Sequence, residues 1–210
     1  MRFTLICFFI VCFLITSCEN DEEPLPAYIQ DMAEIETNAQ GYATTLMLDQ
    51  GEKLTISNPI DGLKPDTLIR VRALYLRLEA DKVWLTKAVE ILTPHLAKFK
   101  PEVIKTDPVT LTACWKGQNY INLRLDIKGT AEGRHIFGFH EVQCVIHPDG
   151  TQTLEATLLH DQNNDPQYYT RETYLSLPLR PLFGRLNVGK DTLQLNIYTH
   201  KGWEKHKMPF

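Results

Sequence analysis

The chain has 210 residues, 43% of them hydrophobic and 10% aromatic, with 22 Lys and Arg against 26 Asp and Glu for a formal net charge of −4. That length suits one large domain or two small ones. The acidic balance, with no Lys/Arg cluster, argues against a nucleic-acid partner, which would need a basic footprint.

Residues 1–17 read as a signal peptide. Arg2 precedes an apolar run from Leu5 to Ile15, and the run closes on Ile15-Thr16-Ser17-Cys18. The run has the length of a signal-peptide core and is too short to span a bilayer comfortably. An aliphatic residue and two small ones before a cysteine resemble the lipobox of bacterial lipoproteins. Small side chains admit the peptidase, and the Cys18 thiol is free to take a diacylglycerol. Acyl chains there imply a membrane partner reached through the N-terminal lipid. Residues 18–32 form the next segment. Glu19, Asp21, Glu22 and Glu23 followed by Pro24 and Pro26 cannot pack a core, so the segment reads as a hydrated tether. The acidic run also resembles the signal behind the lipidated cysteine of surface-exposed lipoproteins in one phylum of Gram-negative anaerobes. It implies an outer-membrane location with exposure at the cell surface.

Residues 33–93 predict short strands. Tyr42 to Leu48 and Lys53 to Ile56 flank the tight turn Asp49-Gln50-Gly51-Glu52. Thr67 to Glu79 predicts a long strand whose inward parity switches from Ile69, Val71 and Ala73 to Leu74, Leu76 and Leu78, as a β-bulge would cause. Lys82 to Leu92 predicts the last strand. Ile69, Val71, Leu85 and Val89 are bulky enough to fill a small barrel. About five short strands, one long and bent, suit an OB-like barrel. Residues 94–101, bracketed by Pro94 and Pro101, read as a linker.

Residues 102–202 alternate more cleanly. Val109, Leu111, Ala113 and Trp115 share one parity, and Ile121, Leu123, Leu125 and Ile127 follow in phase after a turn. Phe137 and Phe139 give way to Val142, Cys144 and Ile146, a second parity switch. Leu154 to His160, Thr173 to Leu179 and Leu193 to Ile197 complete the pattern. Repeated short strands with turn signals between them predict an antiparallel β-sandwich. Residues 203–210 are left as a tail. The fold class is therefore all-β, an N-terminal OB-like small barrel followed by an antiparallel β-sandwich.

The lipobox, the β-segment ending in Lys82-Val83-Trp84-Leu85, Asp107-Pro108-Val109, and above all the run from Cys114 through Trp115, Gly117, Tyr120, Ile121 and Asn122 to Leu123 resemble the NigD-like lipoproteins. That resemblance implies an N-terminal OB domain paired with a C-terminal β-sandwich. The family is named from a bacteriocin gene cluster, and the resemblance brings no functional residues with it.

Four constellations bear on chemistry. Cys114 and Cys144 are the cysteines left beyond Cys18; they either bridge in an oxidising compartment or stay as small apolar groups within strands. Asp161, Asn163, Asp165 and Glu172 have the spacing of a calcium loop, although Pro166 stands where glycine should make the turn. Of His135, His140, His147 and His160, the first two are five apart, which puts them on opposite faces of a regular strand. Tyr168 and Tyr169, in the loop after the acids, are the aromatic pair best placed for ligand contact, whereas Trp115 is in phase with core positions. No catalytic signature appears and no cofactor is implied. The expected function is a non-enzymatic envelope binding module with an unknown protein or glycan partner; the alternatives are a bacteriocin-associated immunity or accessory factor, or an envelope hydrolase.

Overall fold

The computed structural model describes residues 27–210. The signal peptide, Cys18 and the acidic run lie outside the described residues.

Five strands close the N-terminal barrel: β1 (Tyr28–Thr37), β2 (Ala43–Leu48), β3 (Lys53–Ile56), β4 (Leu68–Arg77) and β5 (Lys82–Glu90), in the order β1-β2-β3-β5-β4. All neighbours are antiparallel except β3 and β5. Gly51, with φ 91°, makes the tight β2–β3 turn at little steric cost. Alternation places Ala33, Ile35, Leu46, Leu48, Leu54, Val71, Tyr75, Val83 and Leu85 in one core. The strand begins at Tyr28, so residues 28–32 belong to the barrel and not to the tether; polar Gln30 and Asp31 there disguise a strand edge.

The bulge expected in the long strand sits in its partner. Leu74 pairs with Lys87 and Tyr75 with Leu85, so Thr86 of β5 is the extra residue. β4 therefore keeps one parity, with Val71, Ala73 and Tyr75 inward. The extra residue turns Val89 outward, and it is exposed, contrary to the expected inward position.

The C-terminal unit is a sandwich. One sheet has the order β13-β12-β10-β9-β6, formed by β6 (Leu96–Ala97), β9 (Ile136–Ile146), β10 (Gln152–Asp161), β12 (Thr192–Thr199) and β13 (Gly202–Pro209). The other has the order β11-β8-β7, formed by β7 (Thr110–Lys116), β8 (Tyr120–Gly129) and β11 (Tyr169–Pro178). β11 crosses to the second sheet between β10 and β12, so those two strands run parallel. The core between the sheets includes Ile121, Leu123, Leu125, Phe139, Leu154, Leu175, Leu177, Leu195 and Ile197. The parity switch read in the sequence of β9 is a bulge at Val142, skipped between the pairs Gln143–Glu155 and Glu141–Ala156.

Two boundaries shift. Residues 203–210 are not a tail: β13 pairs along β12, and Phe210 is 3% exposed within the core. Glu204 and His206 occupy the side of β13 level with Ile197 and Leu195, and such inward polar residues are a common device of edge strands. The linker is also tied down. Just ahead of it Leu92 bridges Leu175, and within it β6 pairs with β9 and the Phe99 N–H donates to His140 Nδ1 at 3.1 Å.

Candidate functional site

The barrel sits on the outer face of the three-stranded sheet. In β1 and β4 the positions between the barrel-core residues are Glu34, Arg70 and Arg72; in β8 and β11 the positions between sandwich-core residues are Tyr120, Asn122, Arg124, Glu172, Tyr174 and Ser176. These two polar rows meet. Arg70, 4% exposed, grips Asp49 with two hydrogen bonds of 2.6 and 2.8 Å. It also donates to Asn122 Oδ1 at 2.8 Å and to Ser176 Oγ at 3.3 Å, and its guanidinium lies 4.2 Å over the Tyr120 ring. Asn122 Nδ2 donates back to Asp49 at 2.6 Å. Beside it, Glu34, 2% exposed, accepts from Tyr120 Oη at 2.6 Å and from both terminal nitrogens of Arg180 at 2.5 and 2.6 Å.

Burial pushes the Glu34 carboxyl up, but the Arg180 and Tyr120 hydrogen bonds outweigh it and hold the group below the usual carboxylate value. The Tyr120 phenol is pushed up by burial and by Glu34. A buried charge network of this kind is tolerable because each charge meets an opposite one and its hydrogen-bonding capacity is used.

The seam accounts for the motif read around Trp115. Ile121 faces the sandwich core, while Tyr120 and Asn122 face the barrel. At Gly117 a Cβ would stand 2.8 Å from Asp49 Cγ, so glycine gives Asp49 its room. The neighbouring Gln118 N–H donates to the Asp49 carbonyl at 2.8 Å.

Trp115 itself is not core. Leu111 pairs with Leu125 and Ala113 with Arg124, so Thr112 is a bulge that reverses the parity of β7. Leu111 and Cys114 then pack on the core, and Ala113 and Trp115 turn to the barrel side. There they help to line a cleft of about 290 Å³ at the domain junction, with Gln30, Gln50 and Arg72 of the barrel opposite Arg124 and Tyr174 of the sheet. Arg72 and Arg124 share the Glu172 carboxylate, and Arg72 lies 4.6 Å over the Tyr174 ring.

The candidate calcium ligands do not converge. Asp161 pairs with Lys105 at 2.6 Å, Glu172 is held between the two arginines, and Asp165 is buried against Thr130 and His135. Each carboxylate already has its own partner, and among the described residues no group of three His, Cys, Asp or Glu side chains is arranged to hold a metal ion. Cys114 and Cys144 lie on strands of different sheets and are both free. Burial pushes the Cys114 thiol up to about 11, which leaves it unreactive. Tyr168, just before β11, and Tyr169, its first residue, are 79% and 45% exposed.

His135 and His160, by contrast, do meet. His135 Nδ1 lies 2.8 Å from His160 Nε2, His135 Nε2 lies 3.1 Å from Asp165 Oδ2, and His160 Nδ1 lies 2.9 Å from the Asp107 carbonyl. The cluster closes one end of the sandwich, with the Phe137 ring stacked 4.8 Å from His160. His160 pairs with Phe137 of β9, which brings it to His135 just ahead of that strand, a contact that spacing along one strand could not reveal.

A barrel welded by its outer face to one sheet of a β-sandwich defines a class of two-domain all-β proteins. The sequence profile of the NigD-like C-terminal beta sandwich domain matches residues 91–208, and the chain belongs to that family. A NigD-like immunity protein from Bacteroides caccae is similar at 26% identity, with a TM-score of 0.66 over 87% of this chain and 92% of its own. A toxin-related protein from Parabacteroides distasonis has a TM-score of 0.68 at 22% identity over 88% and 93%. A protein of unknown function from Bacteroides vulgatus has a TM-score of 0.70 at 19% over 88% and 91%; at these lower identities the likeness is one of fold. No curated protein matches the chain.

Proposed function

We propose that this protein is a lipid-anchored immunity protein of the cell envelope, which protects its cell by binding a protein toxin and not by catalysis. The observation that carries the reading is the likeness to the Bacteroides caccae immunity protein, which runs through both domains. The anchor is Cys18, with the acidic segment as spacer, on the outer membrane and facing outward. Among the described residues no helix is long and apolar enough to cross a membrane. The partner surface includes the Tyr168–Tyr169 loop, since large exposed aromatics are typical anchors of protein interfaces.

Deleting the gene should sensitise the cell to its cognate bacteriocin, and restoring it should return protection. An unchanged killing curve removes the immunity reading. Replacing Cys18 by Ala should abolish palmitate labelling and release the protein from membrane fractions; a labelled Cys18→Ala chain would sink the anchor. Protease shaving of intact cells should degrade the protein, and protection until lysis would place it on the periplasmic face.

A further inference from the structure

We infer that the cleft between barrel and sandwich is a binding site for one neutral saccharide unit. The inference goes beyond the immunity reading and does not depend on it. Its volume, about 290 Å³, is at the lower end of small-molecule sites and suits a single ring more than a peptide segment. The Trp115 and Tyr174 side chains provide apolar surface of the kind that packs against the C–H face of a pyranose. Trp115 reaches the cleft because the Thr112 bulge spends an extra residue to turn it away from the core.

Apart from Met32 and Ala113, the rest of the lining consists of planar groups with several hydrogen-bonding atoms each. Gln30 and Gln50 are exposed amides with both donor and acceptor ends. Arg72 meets Glu172 through one terminal nitrogen, and Arg124 meets it through Nε and a terminal nitrogen, which leaves further N–H groups on each guanidinium. Such forks suit pairs of adjacent hydroxyls.

Charge sets the class of sugar. Arg72 and Arg124 share Glu172, Arg70 at the back is held by Asp49, and Asp31 accepts from Tyr75 Oη at 2.8 Å. The arginines and carboxylates around the cleft therefore balance. No surplus charge is left to favour an acidic or a basic ligand, and hydroxyls are the complement that remains.

The test uses the purified full-length protein in a non-glycosidic detergent, titrated with glucose, galactose, mannose, N-acetylglucosamine and β-linked disaccharides, with glucuronate as the acidic comparator. Tryptophan emission and saturation-transfer NMR are the readouts. At least one neutral sugar should give a saturable change, weakened about tenfold or more in Trp115→Ala and in Arg124→Ala. Trp203→Ala, on the opposite sheet, should bind as the native chain does. Should Trp115→Ala fail to fold, Arg124→Ala and the exposed Gln50→Ala carry the test. No saturable response across the panel, an undiminished response in the folded cleft variants, or a preference for glucuronate over glucose would each overturn the inference.

Discussion

Two of the buried polar clusters among the described residues are built from different chemistry. The seam between barrel and sandwich rests on guanidinium–carboxylate pairs, Arg70 with Asp49 and Arg180 with Glu34. The sandwich end rests on His135, His160 and Asp165. Guanidinium stays charged at any physiological pH, whereas imidazole titrates near neutrality. The seam is thus a permanent joint and the sandwich end a conditional one. Substitutions and pH should separate them.

The largest effect belongs to Arg70→Ala. It takes the counter-charge from Asp49, which keeps only the Asn122 Nδ2 hydrogen bond, while Asn122 and Ser176 stay bonded to each other. Removing one partner of a buried ion pair costs about 3–5 kcal/mol. Urea unfolding should show a loss of that size. A loss below about 1 kcal/mol, the range of an exposed pair, would mean that the seam is solvated. Tyr120→Phe keeps the ring under Arg70 and removes one donor to Glu34, whose Arg180 bonds remain. A hydrogen bond to a charged group is worth about 1.5–3 kcal/mol, so this variant should fall between native and Arg70→Ala.

The sandwich end should answer to pH instead. His160 Nδ1 must donate to the Asp107 carbonyl, one proton lies between the two rings, and His135 Nε2 needs a proton to meet Asp165. Protonating His160 adds a charge to a buried ring, 3% exposed and 2.8 Å from its neighbour. Burial lowers the His160 pKa, partly offset by the bond to Asp107 and the nearby Asp161 charge. Arg171, 3.9 Å from Asp165, adds a further positive charge to the cluster. The folded value lies below the unfolded one, so the unfolded chain takes up the proton first. This contribution to stability is complete above about pH 6.5 and is lost as pH falls through that value toward the folded pKa. Unfolding midpoints should fall from pH 7.5 to pH 5.5 in the native chain and change less in His160→Gln. Equal slopes would remove His160 from the account.

The contrast also explains what was legible beforehand. Period-two alternation carries both cores, because inward residues such as Leu123 and Leu125 are apolar whatever lies outside the sheet. Bulges are harder. At Val142 the apolar residues themselves change parity and show the switch. At Thr112 they do not, because Ala113 and Trp115 are apolar on the cleft side and Cys114 suits either face. The seam leaves no local trace. Glu34 and Arg180 are 146 residues apart, and the polar rows of β1, β4, β8 and β11 look like faces meant for water. Only the run from Trp115 to Leu123 hinted at something more than a strand, through Gly117, Tyr120 and Asn122, and its meaning depends on Asp49 in the other domain.

The smallest effect on stability is expected at the exposed loop, and that is what makes it useful. Tyr168 and Tyr169 precede or begin β11, stand largely in solvent and belong to neither core cluster. Surface substitutions away from buried contacts usually stay within about 0.5 kcal/mol, so Tyr168→Ala/Tyr169→Ala should unfold with the native chain in urea. A hot-spot aromatic at a protein interface is worth about 2 kcal/mol or more in binding, enough to weaken toxin capture by more than an order of magnitude. The double variant should therefore be folded, correctly anchored and poorly protective in the killing assay. Full protection by this variant would move the partner surface off the loop. A matching loss of stability would show that the tyrosines hold the end of β11 and are not a contact face.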